Sequence, residues 1–311
     1  MADQLTPIAL FVYNRPAHTR LTLEALARNQ GADRSKLFIF ADGLQHGASV
    51  EDRQKIAEVR HLIKEKEWCF EAEIVESKTN KGLAKSICEG IDYVLEYHDR
   101  VIVLEDDLET SRSFLNYMND ALEMYEYQNR VMQVSGFMVK NRLWASQTGF
   151  LRVSTSWGWG TWRRAWNKYR SDARDLYSEI LEGKERFDLD GFSFHFEELE
   201  RNVNGELNTW AVRWYASIFL NQGLCLYPKK SLVRNIGFDG SGENCHDTKS
   251  KYFNRKSLAR RISVKPQVVK ESDAYLAAMQ RHYRGVMKEW TGTRLHDRVR
   301  NKIGRLLGKG H

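Results

Sequence analysis

The chain has 311 residues, of which 42% are hydrophobic and 29% charged, and its formal net charge is +7. This length suits one sizeable α/β domain with an appendage, or two small domains, and the composition is ordinary for a globular protein. A run of about 18 apolar residues is absent, which excludes a membrane-spanning helix. The N-terminus lacks a basic segment followed by an apolar stretch, so a secretory signal is not expected.

The positive charge is concentrated at the C-terminal end. Residues 255–311 carry 15 Lys/Arg and 4 Asp/Glu, a net charge of +11, whereas the rest of the chain carries −4. Between Leu295 and Leu307 the apolar residues recur with helical spacing among arginines and lysines, which predicts a basic amphipathic helix suited to an anionic membrane surface. The alternative is a helix packed on the body. The negative body argues against nucleic acid as a partner.

The cysteines show no CxxC pairing, and a chain of this length does not need a disulfide framework. We therefore expect a reducing, cytoplasmic setting, with a peripheral position on the inner face of the cell membrane as an option. The four cysteines are Cys69, Cys88, Cys225 and Cys245.

Short apolar runs alternate with helical patterns through the first half of the chain. This alternation predicts βαβ units and a mostly parallel sheet flanked by helices, an α/β Rossmann-like fold, and ligands of such sheets bind beyond the carboxyl ends of the strands. Strands are predicted at 7–13, 37–41, 71–75, 101–104, 131–134 and 224–227, and helices at 17–29, 50–68, 82–98, 111–127 and over the last fifty residues.

Polar side chains cluster where three of these strands end. Asn14 and Arg15 follow the first strand, Asp42 follows the second, and the run Glu105–Asp107 follows the fourth. Three adjacent carboxylates at the end of a buried strand repel one another unless a cation neutralises them, and Mg²⁺ or Mn²⁺ takes such oxygens together with phosphate oxygens. The alternative interpretation is a solvated acidic turn.

The segment Val101–Glu109, followed by a helix with Phe114 and Tyr117, resembles the metal-binding segment of GT-A glycosyltransferases. It is most similar to the N-acetylglucosaminyltransferase I family and to bacterial family-two-like sugar transferases of surface-polysaccharide synthesis. The ordered set of strand-end residues, with Asn80–Leu83 before a helix, extends the resemblance over residues 7 to 250. It implies a GT-A fold and a nucleotide-sugar donor.

The resemblance also implies roles. Asp107 would ligate Mn²⁺ or Mg²⁺, and Glu105 and Asp106 would face the ribose and the donor sugar. Arg15 would reach the base or the diphosphate, and Asp42 would accept a hydrogen bond from a uracil-like base. A surface turn is the alternative for Arg15, and a simple turn-forming role is the alternative for Asp42.

Further donor contacts are expected from Asn14, beside Arg15, and from Lys81, which can approach the phosphates. The segment Ser154–Trp162 alternates glycine with tryptophan, so backbone and indole faces can meet a sugar. Trp157 and Gly158 correspond to a Gly-Trp element of the family that lines the donor and acceptor pocket. Core packing is the alternative, and it is the expectation for Trp162 and Trp166.

Inverting transfer requires a carboxylate base near the acceptor hydroxyl. The family places an Asp just before a Trp at the start of a late helix, but Asn208 and Thr209 precede Trp210 in this chain. A neutral Asn cannot act as the base, so either Glu206 supplies it or Asn208 marks an impaired enzyme. Asp239 is the other candidate.

The segments 227–231 and 235–246 resemble the family's closing loop, in which His246 could ligate the metal or touch the diphosphate. A plain surface histidine is the alternative for His246. We expect a GT-A domain over residues 1–254, with a nucleotide-sugar-binding half (1–110) and an acceptor-binding half (111–254), and a basic helical extension over 255–311.

The predicted activity is metal-dependent transfer of a sugar, of the N-acetylglucosamine type in the resembling family, to a glycan or lipid-linked acceptor. Two alternatives remain at the level of sequence. A sugar nucleotidyltransferase usually carries a glycine-rich phosphate loop near its start, which residues 7–20 lack. A non-catalytic carbohydrate-binding protein is favoured by the missing Asp before Trp210.

Overall fold

The computed structural model describes residues 5–141, 146–239 and 257–289. Residues 240–246 of the expected closing loop, which include Cys245 and His246, lie outside the described residues, as does the amphipathic helix expected between Leu295 and Leu307. None of the described helices combines the length and the apolar character needed to cross a membrane.

Strands and helices alternate from the first described residues, as the apolar runs predict. The strands in the described part of the chain are β1 (Ile8–Val12), β2 (Lys36–Ala41), β3 (Glu71–Glu76), β4 (Arg100–Glu105), β5 (Leu108–Thr110), β6 (Val131–Ser135), β7 (Thr148–Leu151), β8 (Trp159–Trp162), β9 (Leu224–Pro228) and β10 (Val233–Asn235). The helices are α1 (Pro16–Ala27), α2 (Val50–Leu62), α3 (Leu83–Tyr97), α4 (Phe114–Met124), α5 (Arg163–Trp166), α6 (Ala173–Ile180), α7 (Lys184–Phe187), α8 (His195–Val203), α9 (Trp210–Leu220) and α10 (residues 273–289).

Eight of these strands form one sheet in the order β3-β2-β1-β4-β8-β6-β9-β7. The strands β3, β2, β1 and β4 run parallel to one another, and β6 runs parallel to β9. β8 is antiparallel to both of its neighbours, and β7 is antiparallel to β9. Four of the seven pairings between these described strands are therefore parallel, and the predicted α/β class, a Rossmann-like and mostly parallel sheet flanked by helices, is confirmed.

The central strands are buried along their whole length, which is why they appear in the sequence as continuous apolar runs. All residues of β1 are buried, and Val101–Leu104 of β4 are at most 1% exposed. Helix α3 packs against β1, β2 and β4, while α4 packs against β6 and β8. The sheet thus holds the carboxyl ends of β1, β2 and β4 side by side at one edge of the core.

Several boundaries differ from the sequence predictions. Helix α2 ends at Leu62, six residues before the predicted end, and α4 begins three residues late at Phe114. The strands β5, β7, β8 and β10 were not predicted, because each has only three or four residues. The last fifty residues were expected to be helical. The described stretch 262–272 contains no helix, and α10 is the helical part of the described C-terminal segment.

The segment 257–289 packs on the sheet. Glu271 bridges to Phe150 of β7 and accepts hydrogen bonds from the backbone N–H and the guanidinium of Arg152, at 3.0 and 2.6 Å. Tyr275 and Met279 of α10 are fully buried. The described part of the basic extension is therefore part of the folded body.

Candidate functional site

The acidic cluster, Glu105, Asp106 and Asp107, lies where β4 leaves the sheet. Arg15 follows the neighbouring strand β1, and Pro16 in the first turn of α1 starts the helix directly after it. The strands are in register at Phe11 and Glu105, so the two chain ends emerge together. The Arg15 Nη1 atom lies 2.9 Å from Asp107 Oδ2 and 3.6 Å from Asp106 Oδ1.

The cluster contains three carboxyl groups, and the guanidinium of Arg15 offsets the charge of one of them. Burial, together with the charge of Asp107, raises the pKa of Asp106 to about 7. Burial and the two neighbouring carboxylates raise the pKa of Glu105 well above its ordinary value. Burial lowers the pKa of Arg15, but Asp106 and Asp107 outweigh that effect and leave the pKa raised. One guanidinium facing three carboxylates creates a place that favours an additional cation.

Arg15 also has unused hydrogen-bonding capacity. Its Nε and Nη2 atoms are buried, and neither has a hydrogen-bond partner among the described residues. Asp239 lies 3.9 Å from Nη2, beyond hydrogen-bonding distance, and its other oxygen is 3.1 Å from Nε2 of His18. Buried donors are normally satisfied, so these two N–H groups point to an acceptor such as a phosphate oxygen.

A short antiparallel ribbon brings a second chain segment onto the cluster. β10 pairs with β5, and the backbone N–H of Ile236 donates to the carbonyl of Asp107 at 2.8 Å. Gly237 is buried in contact with the Asp107 carboxylate and the Arg15 guanidinium, so a side chain at this position would collide with both. Of the expected closing loop, the structure describes residues 227–231 and 235–239, and Gly237 in the second of these segments lies against the cluster.

Asp42 lies at the carboxyl end of β2, where its carboxylate holds the start of α3. It accepts hydrogen bonds from the backbone N–H groups of Gly43, Lys81 and Gly82 at 2.8, 2.9 and 3.0 Å. The Lys81 ammonium is 2.7 Å from Glu89. Asp42, Lys81 and Glu89 line a cavity of about 200 Å³ at this end of the sheet. The expected contacts of Asp42 with a base and of Lys81 with phosphate stay predictions.

Asn14 lies next to Arg15 in the chain, but its side chain points to another element. Its amide Nδ2 is 3.4 Å from Asp52 in the first turn of α2. The structure therefore places Asn14 next to Arg15 in the chain, with its side-chain amide directed to Asp52 of α2. Its expected role in donor binding stays a prediction.

Trp157 and Gly158 lie beside β4, in the turn that enters β8. The register pairs Trp159 with Val103, which puts the preceding residues beside the end of β4. Gly158 has φ +62°, and a Cβ there would approach Val233 and Phe114, so it shapes this crowded turn. Trp157 is half-buried between Phe137 and Phe238. Its ring centroid lies 4.6 Å from that of Phe137 and 5.5 Å from that of Phe238. The core positions expected for Trp162 and Trp166 are confirmed at 1% and 4% exposure.

A second cavity, of about 230 Å³, has Trp157 in its wall and is called here the cavity behind Trp157. Its wall combines indole rings with hydroxyl, imidazole and carboxylate groups, a mixture that suits a sugar ring. Trp157 lines this cavity and contacts Phe238, and Phe238 directly follows Gly237, which lies against the acidic cluster. The cavity and the cluster are therefore connected through these three residues. Residues lining the cavity include Ser154, Thr155, Ser156, Trp157, His195, Glu198, Trp210, Trp214, Met279, His282 and Tyr283.

The residues expected to act in catalysis lie at the surface outside this lining. Glu206 is exposed and pairs with Arg201 at 3.2 Å. Asn208 is exposed, and its side-chain oxygen accepts a hydrogen bond from Arg213 at 2.8 Å. The carboxylate in the cavity wall belongs to Glu198 of α8, which sequence reasoning missed. No pattern distinguishes it from Glu197 and Glu200 on the same helix.

Within the described residues, no three His, Cys, Asp or Glu side chains converge as a ready metal cage. Mg²⁺ and its relatives are usually held by one or two carboxylates together with substrate phosphates rather than by an all-protein cage. The surplus negative charge around Asp106 and Asp107 therefore fits a divalent cation that arrives with a phosphorylated ligand.

No protein-family model matches this chain, and no curated protein matches it either. Among solved structures, the crystal structure of S. aureus TarS is similar to it, with a TM-score of 0.39 and 12% sequence identity. The likeness covers 73% of this chain and 36% of TarS, so the chain spans about a third of the length of that protein. The function is therefore inferred from the site itself.

Proposed function

We propose that this chain is a glycosyltransferase that binds a nucleoside diphosphate sugar at the carboxyl ends of β1, β2 and β4 and transfers the sugar to a glycan or lipid-linked acceptor. The observation that carries the proposal is the meeting of Arg15 with the acidic cluster. Buried guanidinium donors without partners favour phosphate oxygens, and surplus carboxylates favour a divalent cation. A diphosphate with its metal ion satisfies both at one point.

Each residue has a definite task in this proposal. Arg15 donates its free N–H groups to a diphosphate oxygen. Asp107 holds the metal, while Glu105 and Asp106 face the ribose and the donor sugar. Asp42 and Lys81 lie where a base or a phosphate would meet the end of β2. The cluster is formed before ligand arrives, so little reorganisation is needed when the donor binds.

Mn²⁺ or Mg²⁺ fits the cluster, and when bound it would neutralise the negative charge that grows on the departing diphosphate. The chain's own contribution is electrostatic. Arg15 presents a fixed positive charge in a buried position, where solvent screens it little. Gly237 keeps the space above Arg15 and Asp107 clear of a side chain.

The acceptor approaches from the Trp157 side in this proposal. Bacterial surface-polysaccharide synthesis supplies such acceptors in the enzymes that the sequence resembles, and an N-acetylglucosamine-type donor follows from the same resemblance. Inversion of the anomeric configuration is proposed on that ground as well. The basic residues of 255–311 support a peripheral position on an anionic membrane surface.

The test is nucleoside diphosphate release from a panel of UDP-, GDP- and dTDP-sugars, with Mn²⁺, with Mg²⁺ and with EDTA. The proposal expects release with at least one donor and a loss of at least about tenfold with EDTA. Asp107→Asn should lower the rate by at least about 100-fold, whereas the exposed control Asp99→Asn should not.

Two outcomes would count against the proposal. Nucleoside diphosphate release that is equally fast with EDTA would show that the activity does not require a divalent cation. Absence of release with every donor, in a protein that still binds saccharide in the cavity beside Trp157, would favour a carbohydrate-binding protein without catalytic activity.

A further inference from the structure

The cavity behind Trp157 has an acidic side chain in a wall formed largely of aromatic and hydroxyl-bearing residues. Among the described residues that line it, Glu198 provides the only carboxylate. The wall around it is formed by α8, by the first two turns of α9 and by α10, together with residues 154–157. A carboxylate among indole rings and hydroxyl groups can hydrogen-bond to a sugar hydroxyl while the rings stack on the sugar's C–H face.

The Glu198 side chain is held in a defined orientation. The hydroxyl of Thr209 donates a hydrogen bond to Glu198 Oε1 at 3.0 Å. Thr209 is in turn fixed by Asn202, whose amide Nδ2 donates to the Thr209 hydroxyl at 3.0 Å and whose Oδ1 accepts from the Thr209 N–H at 2.8 Å. A base oriented by a second, itself anchored, hydrogen-bonding group is the usual arrangement for proton removal.

The other carboxylate candidates are placed differently. Glu206 is 55% exposed and paired with Arg201 outside the cavity lining. Asp239 lies within 4 Å of Arg15 and of His18, and it is not part of the cavity lining. Asn208 carries no charge and is engaged by Arg213. Of the four candidates, only Glu198 lines the cavity of about 230 Å³, which has room for a sugar ring.

We propose that this cavity is the acceptor-sugar subsite and that Glu198 is the general base that takes the proton from the acceptor hydroxyl. This assignment rests on the proposed glycosyl transfer and adds its acceptor side. The proposed base differs from the candidates just before Trp210, because Glu198 belongs to α8 and lines the cavity together with the start of α9.

The step is a single displacement. The acceptor oxygen forms a bond to the anomeric carbon of the donor while the bond from that carbon to the diphosphate oxygen breaks. The nucleoside diphosphate leaves with the electron pair of the broken bond, and the hydroxyl proton passes to the Glu198 carboxylate. Burial raises the pKa of Glu198, an effect that Thr209 and Arg201 oppose, and a raised pKa makes a carboxylate a better base near neutral pH.

The test uses the full chain, Mn²⁺ and the best donor of the nucleotide-sugar panel. Water serves as the acceptor in one arm, and a set of p-nitrophenyl glycosides serves in the other. Glu198→Gln should lower nucleoside diphosphate release by at least about 100-fold in both arms, because a neutral amide cannot take the proton. Glu206→Gln, the matched control on the surface, should stay within about twofold of the unmodified protein.

A second pair of variants tests Thr209 as a positioning residue. Thr209→Val removes the hydrogen bond that lowers the Glu198 pKa, so the acid limb of the kcat profile should move to higher pH, whereas Thr209→Ser should leave it in place. His195→Gln controls for the neighbouring titratable side chain, and its pH profile of kcat should still show the acid limb. The titratable groups near Glu198 are Arg201 and His195 of α8 and His282 and Tyr283 of α10.

Donor affinity, measured by calorimetry, separates the possible failures. Glu198→Gln should bind the donor within about twofold of the unmodified protein. A variant that binds the donor and keeps its rate would overturn the assignment of Glu198, and so would one that loses donor affinity together with its rate. If the unmodified protein binds no nucleotide sugar at all, the proposed function fails first and this assignment falls with it.

Discussion

At the carboxyl end of β4, a single guanidinium is set against three carboxylates. Charges in this position are normally paired, because removing them from water costs several kcal/mol per ion. The contacts of Arg15 with Asp107 and Asp106, at 2.9 and 3.6 Å, offset part of this unfavourable free energy. The remaining negative charge, and the two unused N–H groups of Arg15, are the residue-level basis for a metal-diphosphate ligand.

Gly237 offers a direct test of this arrangement. A methyl group in Gly237→Ala would collide with the Asp107 carboxylate and the Arg15 guanidinium, and it should displace one from the other. We expect the affinity for a nucleotide sugar, measured by calorimetry with Mn²⁺, to fall by about tenfold, which corresponds to about 1.4 kcal/mol. Gly183→Ala is the control, because a Cβ there meets Phe219 at ordinary contact distance. Equal affinity in both variants would contradict the account.

The sequence predicts the meeting of Arg15 with the acidic cluster because both follow buried strands, and parallel strands end at one edge. The same reasoning could not find Glu198. Its helix carries Glu197, Glu198 and Glu200, and only the tertiary packing of α9 and α10 decides which of them faces a cavity. Glu206 was favoured for its nearness in sequence to Trp210, and the structure turns it towards Arg201.

At the scale of elements, β8 is the strand that joins the two halves of the sheet. It has four residues, Trp159–Trp162, and lies antiparallel between β4 and β6. Its sequence is Trp-Gly-Thr-Trp, without a longer apolar run, so it was not predicted as a strand. Gly160 serves packing here, since a Cβ at this position would press on Met118 and on the carbonyl of Val101.

Helix α8 carries a second buried titratable group, His195. Its Nδ1 lies 2.6 Å from the Ser193 hydroxyl, and burial lowers the pKa of His195 to about 4. Because this folded-state pKa is below that of an exposed histidine, the unfolded chain binds more protons between pH 4 and 6.5. The free energy of unfolding therefore falls as the pH drops through this range.

The pH effect can be measured with a non-titrating variant. Between pH 7.5 and pH 5, His195 should contribute a loss of about 2 kcal/mol to the stability of the unmodified protein. Urea unfolding of His195→Gln should show a pH dependence smaller by that amount, while acid effects from other groups remain in both proteins. Identical pH dependence in the two proteins would show that His195 is not buried in its neutral form.

At the scale of the whole molecule, the segment 257–289 completes the body instead of trailing from it. Arg152, whose side chain is 5% exposed, is held between Asp190 at 2.7 Å and Glu271 at 2.6 Å. Residues of α10 then form one wall of the cavity behind Trp157. The boundary expected at residue 255 was placed at the change in charge, and it stays a prediction.

The contact between Arg152 and Glu271 should therefore matter for global stability. Glu271→Gln leaves Arg152 buried with one carboxylate partner fewer, and we expect the free energy of unfolding to fall by about 2 kcal/mol. Glu71→Gln, which breaks an ion pair between Lys36 and a half-exposed carboxylate, should cost at most about 0.5 kcal/mol. Chemical unfolding of both variants makes the comparison, and equal losses would argue against a buried role for Glu271.

The general architecture was predicted from the sequence, since the alternation of buried runs and helical patterns indicates a mostly parallel sheet and the edge at which its strands end. The arrangement of the second half was not. Its short strands and the packing of α8, α9 and α10 depend on contacts between residues far apart in the chain, such as Trp214 with Gln133 and Tyr283 with His195. Local patterns do not encode such contacts.

We propose that the acidic cluster and Arg15 bind a nucleoside diphosphate sugar together with a divalent cation. Calorimetric titration of the best donor of the panel, with and without Mn²⁺, measures this binding. Mn²⁺ should strengthen donor binding by at least about tenfold in the unmodified protein and in Asp99→Asn, but not in Asp107→Asn. Binding that is indifferent to Mn²⁺, or equally strong in Asp107→Asn, would contradict it.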